Sequence, residues 1–152
     1  MRKEFVMRGK TASGETEILN FSGFKAGMAY RMTEFSIWPS TNIGGVAQEL
    51  AASVTAAKTY EDPSNPDFNN EGLIAVAYFP MTSIGAGNSG NNVMLTLVND
   101  TFLITQNLIL AVIDTVAGSP LAVNWQCRFV AEKMSGPEEA VTNYKQFAIS
   151  DE

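Results

Sequence analysis

At 152 residues the chain has room for one domain with a proper core, and residues 1–152 read as a single unit. The absence of histidine removes Ser-His-Asp and Cys-His catalysis, imidazole metal sites and the usual general base at neutral pH. The net charge of −6 is uneven, because Arg2, Lys3, Arg8 and Lys10 against Glu4 make a basic start on an acidic remainder, and nucleic acid is not the expected main partner.

In chain order, the spacing predicts strands at Glu4–Arg8, Thr16–Phe21, Met28–Trp38, Gly72–Phe79, Val93–Val98, Thr101–Ile104, Leu108–Ile113, Val123–Glu132 and Tyr144–Ile149. Turn residues separate them at Ser13-Gly14, Gly23, Pro39, Pro63–Asn70, Gly85–Asn92, Gly118–Pro120 and Gly136-Pro137. Alternation is clearest in Val123–Glu132, where Val123, Trp125, Cys127, Phe129 and Ala131 share one face and Val130 is the apolar exception on the other. These odd-numbered residues are the expected core.

Within Met28–Trp38 the apolar parity changes between Met32 and Phe35, so a bulge near Thr33-Glu34 would return both halves to one buried face. Gln48–Ala57 carries helix formers beside the alternating Leu50, Ala52 and Val54, and the alternation tips it to strand. Eight to ten short strands without a fixed repeat give an all-β fold, an antiparallel β-sandwich of the jelly-roll type, ahead of a small barrel.

The longest uninterrupted apolar run is Leu73–Phe79, far short of the ~20 residues of a membrane-spanning helix. No signal-peptide pattern follows the basic start, so synthesis in the cytoplasm is expected. Cys127 lies on the apolar parity of its strand, where a thiol is inert.

Other constellations are incomplete. Glu61, Asp62, Asp67 and Glu71 cluster in a Pro/Asn-rich loop that gives neither carboxyl of a hydrolase pair a reason for a raised pKa. Asp67–Gly72 resembles the opening of a calcium loop, but the twelfth position is Tyr78, which leaves at most a looser site from Asp62, Asp67, Asn69 and Glu71. Gly85-Ala-Gly-Asn-Ser-Gly90 spells a dinucleotide motif but leads into alternating Val93–Val98 instead of a helix. The expectation is therefore a non-enzymatic chain with no cofactor and no metal.

What remains is surface chemistry. Trp38, Tyr60, Phe68 and Tyr78 sit beside turns, where aromatic rings either plug the core ends or anchor a sugar or a protein neighbour. With Arg2, Lys3, Arg8 and Lys10 they form the candidate interface. Assembly and carbohydrate or receptor binding are the two functions open to such a module.

The segments Thr11–Phe21, Asn65–Ile74, Val98–Leu110, Val123–Phe129 and Asn143–Glu152 resemble small strand-rich virion proteins of environmental bacteriophages. The resemblance implies a capsid, minor capsid or cement subunit, located in the virion, that associates with itself and with other capsid proteins. It carries no catalytic residues across, and the chain is much shorter than a tailed-phage major capsid protein and lacks its long helix.

Overall fold

The computed structural model describes residues 3–21, 27–41, 47–81, 94–116 and 120–134. Eight strands occur there: β1 (Lys3–Thr11), β2 (Thr16–Leu19), β3 (Met28–Pro39), β4 (Gln48–Thr55), β5 (Leu73–Met81), β6 (Leu95–Val98), β7 (Leu108–Asp114) and β8 (Val123–Lys133). They form two antiparallel sheets, one in the order β1-β8-β3 and the other in the order β2-β7-β4-β5-β6. The expected strand at Tyr144–Ile149, the turns at Gly23, Gly85–Asn92 and Gly136-Pro137, and Gly118 and Ser119 of the Gly118–Pro120 turn lie outside the described residues.

The connectivity is that of a jelly roll. A long antiparallel ribbon that pairs first with last, second with seventh, third with sixth and fourth with fifth, then wraps into two sheets, produces this order. The β1·β8, β2·β7 and β4·β5 pairs are all present. The remaining partner, β6, pairs with β5 and reaches β3 only through side chains: Thr96 Oγ1 donates to the Phe35 carbonyl at 2.9 Å, and the Ile37 N–H meets Met94 Sδ at 3.4 Å.

Why these residues pack as they do follows from parity. On β8, Val123, Trp125, Cys127, Phe129 and Ala131 all face inward and are buried. Phe129 lies in an aromatic cluster with Phe5, Phe21 and Tyr30, whose ring centroids are 5.0 to 6.3 Å apart. The Trp125 indole N–H donates to Thr11 Oγ1 at 2.9 Å, so its one polar atom is satisfied inside the core. Gly9 packs against the same indole: a Cβ there would lie 2.8 Å from Cζ2.

The bulge lies where the parity change requires it. Met32 faces Phe129 and Glu34 faces Arg128, leaving Thr33 as the extra residue. Tyr30, Met32, Phe35 and Ile37 consequently share the buried side. Val130, on the outer face between Arg128 and Glu132, is nevertheless buried; its cross-strand neighbours are Glu4 and Arg31. Long polar side chains can cover such a position with their aliphatic parts.

β4 is a strand and, apart from the exposed Glu49, is buried on both faces. Its outward side carries Ala51, Ser53 and Thr55 because residues 56–72 fold back over it: Ser53 Oγ donates to the Glu61 carbonyl at 2.7 Å and Thr55 Oγ1 accepts the Glu61 N–H at 3.2 Å. Thr101–Ile104 is not a strand. Asn99 Oδ1 accepts both the N–H and the hydroxyl of Thr101 at 3.2 and 2.7 Å, turning the chain, and only Ile104 bridges to Tyr30. β2 likewise ends at Leu19, ahead of the expected Phe21, whose ring turns into the aromatic cluster.

Asp114, almost fully buried, fastens one end of the sandwich. Its Oδ1 accepts the Glu49 and Val116 N–H groups at 3.2 Å each, and its Oδ2 accepts the Leu121 N–H at 3.0 Å and Gln48 Nε2 at 3.4 Å.

Two outcomes check this packing. Trp125→Ala should cost about 3–5 kcal/mol of unfolding free energy by denaturant titration. Burial pushes the Cys127 thiol well above its usual range, so a thiol reagent should label it only as the protein unfolds; fast stoichiometric labelling of the native chain contradicts the assignment.

Candidate functional site

The candidate residues fall on three surfaces. The first is the outer face of the β1-β8-β3 sheet. Cross-strand register places Lys10, Asn124 and Trp38 in one row and Arg8, Gln126 and Ser36 in the next. Arg8 Nη2 donates to Gln126 Oε1, and Asn124 Nδ2 donates to the Pro39 carbonyl at 3.1 Å, so both amides are held in place. Trp38 remains 56% exposed, although its ring centroid is 6.2 Å from that of Phe79. A shallow groove of about 710 Å³ is lined here by Arg8, Trp38, Met94, Asn124, Trp125 and Gln126, among others.

Further along the same face, Arg31 meets Glu132 at 2.7 Å, and Arg128 lies 3.4 Å from Glu34 and 3.9 Å from Glu4. Half-exposed pairs of this kind set cross-strand register more than they add stability. Lys3, at the start of β1, is exposed; Arg2 lies outside the described residues.

The second surface is the loop over the other sheet. Tyr60 is exposed and borders a hollow with Thr16, Ala111 and Ile113. The carboxylates of Glu61 and Asp67 accept hydrogen bonds from within the loop itself. Glu61 Oε1 accepts the Asp67 N–H at 2.8 Å and Oε2 accepts Asn70 Nδ2 at 2.7 Å; Asp67 Oδ1 accepts the Asn69 N–H at 2.9 Å. Among the described residues, no group of three or more His, Cys, Asp or Glu is placed to hold a metal ion.

The third surface is the outer face of β5 and β6. Leu95 and Leu97 are 62% and 56% exposed, opposite Tyr78 and Val76 respectively. Phe68, 62% exposed, joins Val76 and Leu97 around a small hollow. Tyr78 Oη donates to Glu49 Oε1 at 3.0 Å; burial first, then the bond to Glu49 and its charge, raise the phenol pKa.

The strand arrangement is similar to chains in solved virus structures. Turnip yellow mosaic virus matches at 8% identity and a TM-score of 0.40, over 88% of this chain and 93% of that chain. Cocksfoot mottle virus matches at 10% identity and a TM-score of 0.39, over 92% and 100%. Desmodium yellow mottle tymovirus matches at 10% identity and a TM-score of 0.37, over 88% and 82%. No protein-family model matches the sequence, and neither does any curated protein.

Sequence reasoning singled out Trp38, Tyr60, Phe68 and Tyr78 by their places beside turns, and all four are exposed. It missed Leu95 and Leu97, along with the exposed Ile18 on β2. Alternation in β6 separates the leucines from Met94, Thr96 and Val98, but the set facing β3 and the core is the less apolar one. Met94 and Thr96 reach β3 while Met94 and Val98 pack on the core.

The loop carries its own pH test. Asp62 Oδ1 accepts the Ser64 hydroxyl at 2.7 Å and its N–H at 2.9 Å, and the hydroxyl first, then the N–H, hold this carboxyl below its ordinary 3.8. A depressed folded value means that the contribution is full above the unfolded value and is lost as pH falls through the folded one. The difference in Tm between the protein and Asp62→Asn should therefore hold steady from about pH 6 down to about pH 5 and narrow below 3.8. A difference that stays constant as the pH falls well below 3.8 contradicts the assignment.

Proposed function

We propose that the chain is a repeating structural subunit of a bacteriophage particle, a capsid, minor capsid or cement protein that works through contacts with its own copies and with other capsid proteins. The observation that carries this reading is the apolar surface formed by Phe68, Val76, Tyr78, Leu95 and Leu97 on one sheet face. Leucines set outward on a strand, next to exposed aromatics, gain from being covered, and contiguous apolar patches mark interaction sites. With 17% charged residues overall, the chain also has little desolvation cost for packing against neighbours.

The jelly-roll connectivity supplies a rigid frame with loops at its ends. The phage attribution rests on the segments that resemble phage virion proteins. On this reading residues 1–152 act as one unit, made in the host cytoplasm and built into the virion, with neither cofactor nor catalysis. Among the described residues no helix is long and apolar enough to cross a membrane.

Leu95→Asp with Leu97→Asp should remove the contacts made by this face and lower the assembled mass while leaving the melting temperature nearly unchanged, because both side chains are exposed in the isolated chain. Sedimentation velocity checks this, and an assembled mass left unchanged by both substitutions overturns the role given to this face. A carbohydrate- or receptor-binding role is favoured by a different observation, the groove where Trp38 stands beside Arg8, Asn124 and Gln126. A glycan array bound by the protein and lost with Trp38→Ala would establish it.

A further inference from the structure

β1 ends its sheet: among the described residues it pairs only with β8, and that pairing runs along all nine of its residues. An edge of this length, with exposed Val6, Arg8, Gly9 and Lys10, is a template for another strand. Such edges are commonly blunted by charge, so the placement of the charges decides what can add to it. We propose that β1 joins the β1 of a second copy, antiparallel across a two-fold axis at Met7, so that two three-stranded sheets become one. This deepens the reading that the chain works as repeated copies, and rests on it.

The register follows from symmetry and charge. Directly opposite residues in an antiparallel pair have side chains on the same face, so a two-fold axis perpendicular to the sheet must pass through a residue facing itself. With Met7 on the axis the whole strand is used: Lys3 faces Thr11, Glu4 faces Lys10, Phe5 faces Gly9 and Val6 faces Arg8. Glu4 and Lys10 are both exposed on the outer face and meet twice, once on each side of the axis. On the inner face Phe5 comes opposite Gly9, the aromatic-over-glycine pairing that supports glycines at sheet edges.

Neighbouring registers are worse. Moving the axis to Arg8 sets that guanidinium against its own copy, and moving it to Val6 exchanges the Glu4–Lys10 pairs for Glu4–Arg8 pairs but shortens the pairing to residues 3–9 and leaves Lys10 outside it. Charge therefore sets aside the Arg8 register and length the Val6 register, leaving the Met7 axis, in which all nine residues of β1 are paired.

The test uses the full chain and four variants, with sedimentation velocity over a concentration series. Glu4→Lys and Lys10→Glu each place like charges opposite one another twice and should weaken the two-fold contact about tenfold. The combined Glu4→Lys/Lys10→Glu chain should recover it to near the original value. Because Glu4 also lies 3.9 Å from Arg128, Lys10→Glu serves as the reversal that leaves that pair intact. In the fourth variant, Glu4→Cys/Lys10→Cys, mild oxidation should yield a disulfide-linked dimer, with Cys127 silent in the core.

If the unmodified chain associates, but the reversals have no effect and no cross-link forms, the β1 contact is overturned and the subunit reading stands. Association lost in both reversals and not regained in the combined chain also overturns it. An unmodified chain that stays single at every concentration overturns the subunit reading, and the contact with it.

Discussion

The structure depends on β8 lying between β1 and β3. Among the described strands it is the hydrogen-bonded partner of both others in its sheet, and its pairing with β1 brings Lys3 opposite Ala131. Bringing such distant segments together has an entropic cost that local hydrogen bonds do not offset. Burial offsets it: Trp125, Cys127 and Phe129 face the second sheet, and the rings of Phe5, Phe21 and Tyr30 close around Phe129. The residues that close β1 onto β8 are therefore also residues that fill the sandwich interior.

Alternation made much of this legible. β8 has every second residue apolar, so its inward face could be read directly, and the parity change in β3 located the bulge at Thr33 because only an inserted residue keeps Met32 and Phe35 on one side. β4 was harder to read, since its outward Ala51, Ser53 and Thr55 are small enough to lie under the loop at residues 56–72, and that cover is a tertiary event with no periodic trace. Thr101–Ile104 looked like a strand on composition, but the local bonds of Asn99 to Thr101 prevailed over extension.

The candidate surfaces were less legible than the fold. An aromatic residue next to a turn is a visible signal, and it led to Trp38, Tyr60, Phe68 and Tyr78. Leu95 and Leu97 carry no such signal, because hydrophobicity alone assigns the leucines of a strand to the core. Their outward setting follows from β6 crossing between the sheets, where Thr96 bonds to the Phe35 backbone and Met94 meets Ile37. The two outer faces differ in kind as a result: one is crossed by ion pairs and amides, the other is apolar around β5 and β6.

In the subunit reading proposed above, other protein covers these faces. Static light scattering of the unmodified chain across a concentration series measures this most directly. A repeating subunit gives a mass that rises with concentration to a multiple-copy assembly. A mass that stays at 16.4 kDa throughout would contradict it.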